Sequence, residues 1–323
     1  MAVYTTVSAD DIAAFILQYD VGEVVSLKGI AEGVENSNYL LSTTKSNFIL
    51  TLYEKRVDAS DLPFFLGLMD HLAHKGINCA TPIEDKNGNS LKELCGRPAA
   101  LISFLDGLSI SEPTVQNCQQ LGKALAEMHL AVADFTLSRA NDLSLEGWMK
   151  LATDCEARAD ECQLGLSDII HTEMDHLKQN WPTSLPQGII HADLFPDNVF
   201  FLNNQLSGLI DYYFACNDML VYDVAVCINS WCFEKGQSFD RGKASAIING
   251  YNKVRQLSEA ELAALPLLCR GASIRFLLTR LYDWLNRVEA AQVKIKDPLE
   301  YLKMLKFHQN INCVSDYGVE RKP

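Results

Sequence analysis

Oxygen-bearing side chains gather in one short reach of this chain. The segment "IIHADLFPDNVFF" (189–201) sets His191, Asp193 and Asn198 between two apolar runs, and "LSGLIDYYFA" delivers Asp211 shortly afterwards. Pro196 disfavours a regular helix through the first segment, so Asp193 and Asn198 can point to one spot. Asn198 and Asp211 offer an amide oxygen and a carboxylate, ligands that suit a hard cation such as Mg2+, which prefers oxygen and keeps some of its water. Asp193 is then free to orient a hydroxyl and accept its proton. Together these are the needs of phosphoryl transfer, in which the protein contributes positioning and charge neutralisation more than covalent chemistry. A polar turn could hold the same residue types, so the second Asp at the end of a strand is what gives the set its meaning.

Those side chains need elements to carry them. Ser8 and Asp11 form a capping arrangement ahead of Ile12, Phe15, Ile16 and Tyr19 at helical spacing. "VVSLKGIAEGVENSNYLLSTTKSNFILTLYE" alternates β-prone runs with Gly and Asn, as consecutive antiparallel strands do. "DLPFFLGLMDHLAHKG" is helical and stops at Gly76, Asn87-Gly88 is a hairpin signal, and "RPAALISFLDG" reads as a buried strand. From Glu112 onward long helical patterns dominate, such as "VQNCQQLGKALAEMHLAVADF". The expected class is α+β with two lobes: residues 1–105 as a small antiparallel sheet lobe and 106–323 as a mainly helical lobe, hinged at "SFLDGLS". A strand after the Asn203-Asn204 turn places Asp211 at its end.

Bulk properties narrow the function. The net charge of -13 has no basic stripe to attract nucleic acid or an anionic membrane. The ten cysteines lack zinc-like spacing and read as buried thiols of a reducing, cytoplasmic, soluble protein. No uninterrupted apolar run reaches the ~18 residues of a membrane span.

The order H-x-D-x4-N, hairpin, Asp matches the catalytic loop and metal-binding Asp of protein-kinase-like folds. "HADLFPDN" with "IDYYFA" resembles the aminoglycoside phosphotransferase and choline kinase superfamily. "GVENSNYLL", "FILTLYEKR", "LPFFLGLMDHLAHKG" and "DVAVCINSWCF" further resemble its homoserine kinase branch, from about residue 8 to 308. The resemblance implies transfer of phosphate from ATP, with Mg2+, to the hydroxyl of L-homoserine, as in threonine biosynthesis. It gives Asp193 the catalytic role and Asn198 and Asp211 the metal. It also puts Gly29 and Gly33 in a loop over the phosphates and sets the backbone of Ser103 and Leu105 against adenine. Kinases for choline, aminoglycosides or methylthioribose, and a non-catalytic nucleotide binder, are the alternatives.

One position departs from the kinase pattern. Thr51 stands where such folds place a third-strand Lys, and Lys55 on the same face lies about 13 Å further along the strand. Lys28 or an Arg of the second lobe could serve instead, and Asp61 and Asp70 are weak candidates for the helix Glu that usually partners the third-strand Lys. An acceptor with an ammonium and a carboxylate calls for an acid and a base. Asp197 and Asp218 are candidates for the first, Arg275 and Arg280 for the second, and Asn229 and Trp231 for the pocket wall.

Overall fold

The computed structural model describes residues 4–30, 36–54, 58–234, 238–287 and 296–319. Gly33 and Lys55 therefore lie outside the described residues. The fold is α+β, and the chain forms two compact units, one of residues up to Gly107 with Ser207–Ile210, the other of the helical remainder.

The first unit opens with α1 (Ala9–Ile16), where Ser8 and Asp11 exchange the hydrogen bonds of a capping box. Its sheet contains β1 (Val24–Gly29), β2 (Asn36–Thr43), β3 (Asn47–Tyr53), β4 (Lys92–Leu94) and β5 (Arg97–Ser103), all antiparallel in the order β1-β2-β3-β5-β4. Alternation along β3 turns Phe48, Leu50 and Leu52 into a core with Ile12, Phe15 and Ile16 of α1. α2 (Leu62–His74) ends as the sequence implies: the Gly76 amide reaches Ala73 and the Ile77 amide reaches Leu72, with Gly76 at φ +81°.

The hairpin signal is displaced. Asn87-Gly88 does form a turn, held by the Asp85 carboxylate, which accepts from the amides of Asn87 and Asn89 at 2.8 and 2.9 Å. The strands themselves are closed by Cys95-Gly96, both at positive φ, between β4 and β5. Cys95 is consequently exposed, unlike the seven fully buried thiols.

The second unit comprises helices α3 (Val115–Ala131), α4 (Leu145–Glu156), α5 (Ala159–Cys162) and α6 (Leu166–Asn180), then β6 (Gln187–Ile190), β7 (Val199–Leu202), β8 (Gln205–Leu209) and β9 (Cys216–Met219). The last residues of β8 belong to the first unit. β6 pairs with β9, and β7 and β8 form a hairpin whose turn, Asn203-Asn204, has φ of 51° and 60°. Four helices follow: α7 (Leu220–Trp231), α8 (Arg241–Asn252), α9 (Glu259–Leu285) and α10 (Leu299–His308). α9 is long and apolar enough by length and composition to cross a membrane, although Arg270 and Arg275 interrupt its apolar run; two thirds of its apolar window is buried within the fold, as in a core helix.

α3 and α8 touch at paired glycines. A Cβ on Gly122 would meet the Ile247 carbonyl, and one on Gly250 the Gln119 carbonyl, at 2.0 and 2.2 Å. Backbone cannot yield as a flexible side chain does, so Gly122→Ala should lower the stability measured by urea unfolding by about 1–3 kcal/mol or more.

Candidate active site

The loop after β6 is held by its backbone. Asp223, on the buried helix α7, accepts the His191 amide at 2.7 Å and the Ala192 amide at 2.9 Å. His129 of α3 donates to the same carboxylate through Nε2 at 3.1 Å, while its Nδ1 meets the Tyr251 hydroxyl at 2.8 Å. Asp223 has no exposed surface. Burial pushes its pKa up, and the His129 bond with the neighbouring His191 outweighs this, so the carboxyl lies below its ordinary value.

Ala192 sits at φ +63°, a conformation that turns the chain sharply before Asp193. Its carbonyl accepts from Arg275 of α9. Trp231 donates Nε1 to the Leu194 carbonyl at 2.8 Å, so each residue flanking Asp193 is tied to a helix. The loop then closes on itself: the Phe195 amide reaches the Asp193 carbonyl at 2.9 Å, and Asn198 Nδ2 reaches it at 2.8 Å. This use of Nδ2 leaves Asn198 Oδ1 as the group able to face a cation. Asp193 itself is half-buried. Burial raises its pKa, against the opposing charges of Arg275, His191 and Lys296, with Asp197 adding to the rise.

Asp211 follows the β7–β8 hairpin as an exposed residue at φ +66°. Its neighbour Tyr212 packs on the His191 ring at 4.7 Å, and Phe214 lies under the Arg275 guanidinium at 5.7 Å. His191 and Arg275 thus join the Asp193 loop to the Asp211 segment. Among the described residues no group of three or more His, Cys, Asp and Glu side chains is gathered for a metal. A site of one carboxylate, one amide oxygen and water falls below that count.

In the first unit, Ser103 is already committed: its amide reaches the Thr81 carbonyl at 2.8 Å and its hydroxyl accepts from the Thr81 amide at 2.9 Å. Leu105 has no such bond among the described residues and packs by geometry against Gly208. Thr51 is buried and donates to Asn38 Oδ1 at 2.9 Å, so it offers nothing to a ligand. Gly29 and Lys28 are exposed on β1, and Asp70 is engaged with His74 at 3.3 Å.

Comparison with known proteins fixes the lineage. Residues 26–257 match the phosphotransferase enzyme family. The chain belongs to that family. A homoserine kinase of Bradyrhizobium diazoefficiens is 59% identical over 320 residues, covering 99% of this chain and 98% of that one. The homoserine kinase of Agrobacterium fabrum is 58% identical, covering 99% of both chains. A spectinomycin phosphotransferase solved with ADP and spectinomycin has a TM-score of 0.70 at 16% identity, over 97% of this chain and 98% of its own. A microcompartment-associated aminopropanol kinase has a TM-score of 0.68 at 17% identity, over 97% and 99%. At such identities the structural likeness establishes the fold.

The expected acceptor residues of this phosphotransferase need correction. Asn229 donates Nδ2 to the Cys269 carbonyl and the Ser273 hydroxyl, each at 3.0 Å, and its Oδ1 accepts from His308 at 2.7 Å. It is a satisfied core amide. Trp231 and Arg275 are likewise buried, and support the loop that carries Asp193. Asp218 accepts from Asn141 at 2.6 Å and caps its own strand end through the Met219 amide. Arg280 pairs with Glu300 at 2.7 Å and reaches the Asp297 carbonyl at 3.1 Å. Asp197 remains exposed beside Asn198. The sequence reading missed Asp223 and His129; a lone acid inside the apolar run "YDVAVCI" was the available signal, because a buried charge demands partners.

Asp223→Ala should strand two buried amides, costing several kcal/mol at about 1–3 kcal/mol each, with turnover falling in the residual folded protein. Thermal unfolding and steady-state rates check this. His308 gives a pH signature: burial, with Arg270 nearby, pushes it down to about 3 from 6.5. The folded state therefore disfavours protonation, and stability present above pH 6.5 should be lost as pH falls towards 3. His308→Gln should flatten that part of the stability profile.

Proposed function

We propose that this chain transfers the terminal phosphoryl group of ATP to the side-chain hydroxyl of L-homoserine, forming O-phospho-L-homoserine for threonine biosynthesis. The observation that carries the reading is near-full-length identity of 59% to a homoserine kinase, in a chain that carries Asp193, Asn198 and Asp211. Structural neighbours phosphorylate quite different acceptors by name, so the fold alone does not choose among them.

In this reading Asp193 orients the acceptor hydroxyl and takes its proton as the oxygen attacks phosphorus. The burial that raises its pKa makes it a better base than an exposed Asp. Asn198 Oδ1 and Asp211 fit Mg2+, which when bound neutralises the triphosphate charge. The fixed backbone around Asp193 keeps the hydroxyl from wandering, a contribution of orientation and not of charge. Leu105 offers the free backbone groups for adenine, since those of Ser103 include an amide already used. Gly29, with Gly33, lets backbone approach the phosphates, and exposed Lys28 is a candidate cation in place of the third-strand Lys. The reducing cytoplasm is the compartment that this activity and ten free thiols suit.

Magnesium-dependent ADP release with separate acceptors tests the reading. Turnover should be selective for L-homoserine over L-serine, choline, methylthioribose and an aminoglycoside. Asp193→Asn should lower kcat by about 10²–10⁴-fold while nucleotide binding persists. Folded, ATP-binding protein that ignores L-homoserine would refute the acceptor.

A further inference from the structure

Arg275, His191 and Lys296 act electrostatically on Asp193. The first two are buried, Arg275 donating to the Ala192 carbonyl and His191 packed against Tyr212. Lys296 is different. It is exposed, has no carboxylate partner among the described residues, and sets its Nζ over the Phe195 ring at 5.5 Å. Phe195 is the residue whose amide bonds the Asp193 carbonyl, so this cation is tied to the catalytic turn itself.

Its position is built. Arg280 grips the Asp297 carbonyl and the Glu300 carboxylate, while Asp297 Oδ1 accepts the Leu299 amide at 2.9 Å. The residue next to Lys296 is thereby fixed to both α9 and α10. Beneath it runs an aromatic ladder, Phe195 to Phe276 at 5.0 Å and Phe276 to Tyr301 at 5.1 Å. Arg280, expected from the sequence to meet substrate, holds the segment that carries Lys296.

Resting on the acceptor reading above, we infer that Lys296 is the anion anchor of the acceptor site and receives the carboxylate of an amino-acid alcohol whose hydroxyl is presented to Asp193. In L-homoserine the hydroxyl and carboxylate are separated by roughly 5 Å of extended chain, judged from ordinary bond lengths, so the anchor has to belong to the same turn as Asp193, as a cation on Phe195 does. The sign agrees as well, because an ammonium repels choline and polycationic aminoglycosides while attracting a carboxylate.

The test compares the full-length enzyme with Lys296→Met and Lys296→Arg, using L-homoserine and L-homoserinamide, which lacks the carboxylate charge. Loss of one charge-assisted contact should raise KM for L-homoserine about 10–100-fold in Lys296→Met. kcat should change far less, KM for ATP should stay put, and Lys296→Arg should recover much of the affinity. With L-homoserinamide the native enzyme and Lys296→Met should perform alike. An unchanged KM for L-homoserine would overturn the anchor, as would a rise in KM for ATP shared by both acceptors, which would assign Lys296 to phosphate. A native enzyme that spares L-homoserine but uses another alcohol would overturn the acceptor reading, and the anchor with it.

Discussion

A single buried carboxylate sets the geometry on which the chemistry depends. Asp223 receives two consecutive backbone amides of the loop after β6 and a ring nitrogen of His129, from a helix more than ninety residues earlier in the chain. The bargain is favourable on magnitudes. Holding Ala192 left-handed costs about 1–2 kcal/mol, whereas hydrogen bonds to a charged group contribute about 1.5–3 kcal/mol each. The bend is therefore over-determined, and Asp193 emerges from it aimed by backbone instead of by its own flexible side chain. Asp223 has no exposed surface of its own, yet it decides where Asp193 stands.

Around this fixed turn, the second unit arranges its polar interior by function of support. Trp231, Arg275 and His191 each reach the loop or the segment after Asp211, and none retains surface for a ligand. Asn229, His308 and the Tyr317 hydroxyl form a neutral chain across α7, α10 and the final turn. Neutrality matters there. A protonated His308 would force the Tyr317 hydroxyl, its donor in the neutral chain, to turn and accept instead, and would place a charge where burial opposes it.

The sequence made local placement legible where short-range spacing alone determines geometry. That Asp193 and Asn198 share one loop and that Asp211 follows a hairpin could be read, as could the Ser8 cap and the Gly76 stop, because each rests on residues a few positions apart. Burial partners from distant segments were not legible. Asn229 looked like a pocket residue because its polarity in an apolar helix has two explanations, and only His308, far along the chain, decides between them. Arg275 was misread for the same reason. Asn87-Gly88 carried the stronger hairpin signal, but the Asp85 clasp turned it into a local loop and left closure of the strands to Cys95-Gly96. Lys296 has no local pattern at all; its position follows from Arg280 and α10.

The bond from Thr51 to Asn38 has a pharmacological side. A reagent that captures an amine needs a lysine, and the resemblance to kinase-like folds expects one on the third strand at the position of Thr51. Here that position bears a buried hydroxyl already donated to an amide oxygen, a poor nucleophile with no room to be approached. Compounds of that type should pass this protein by at that strand, and a selective covalent ligand would have to seek its amine elsewhere.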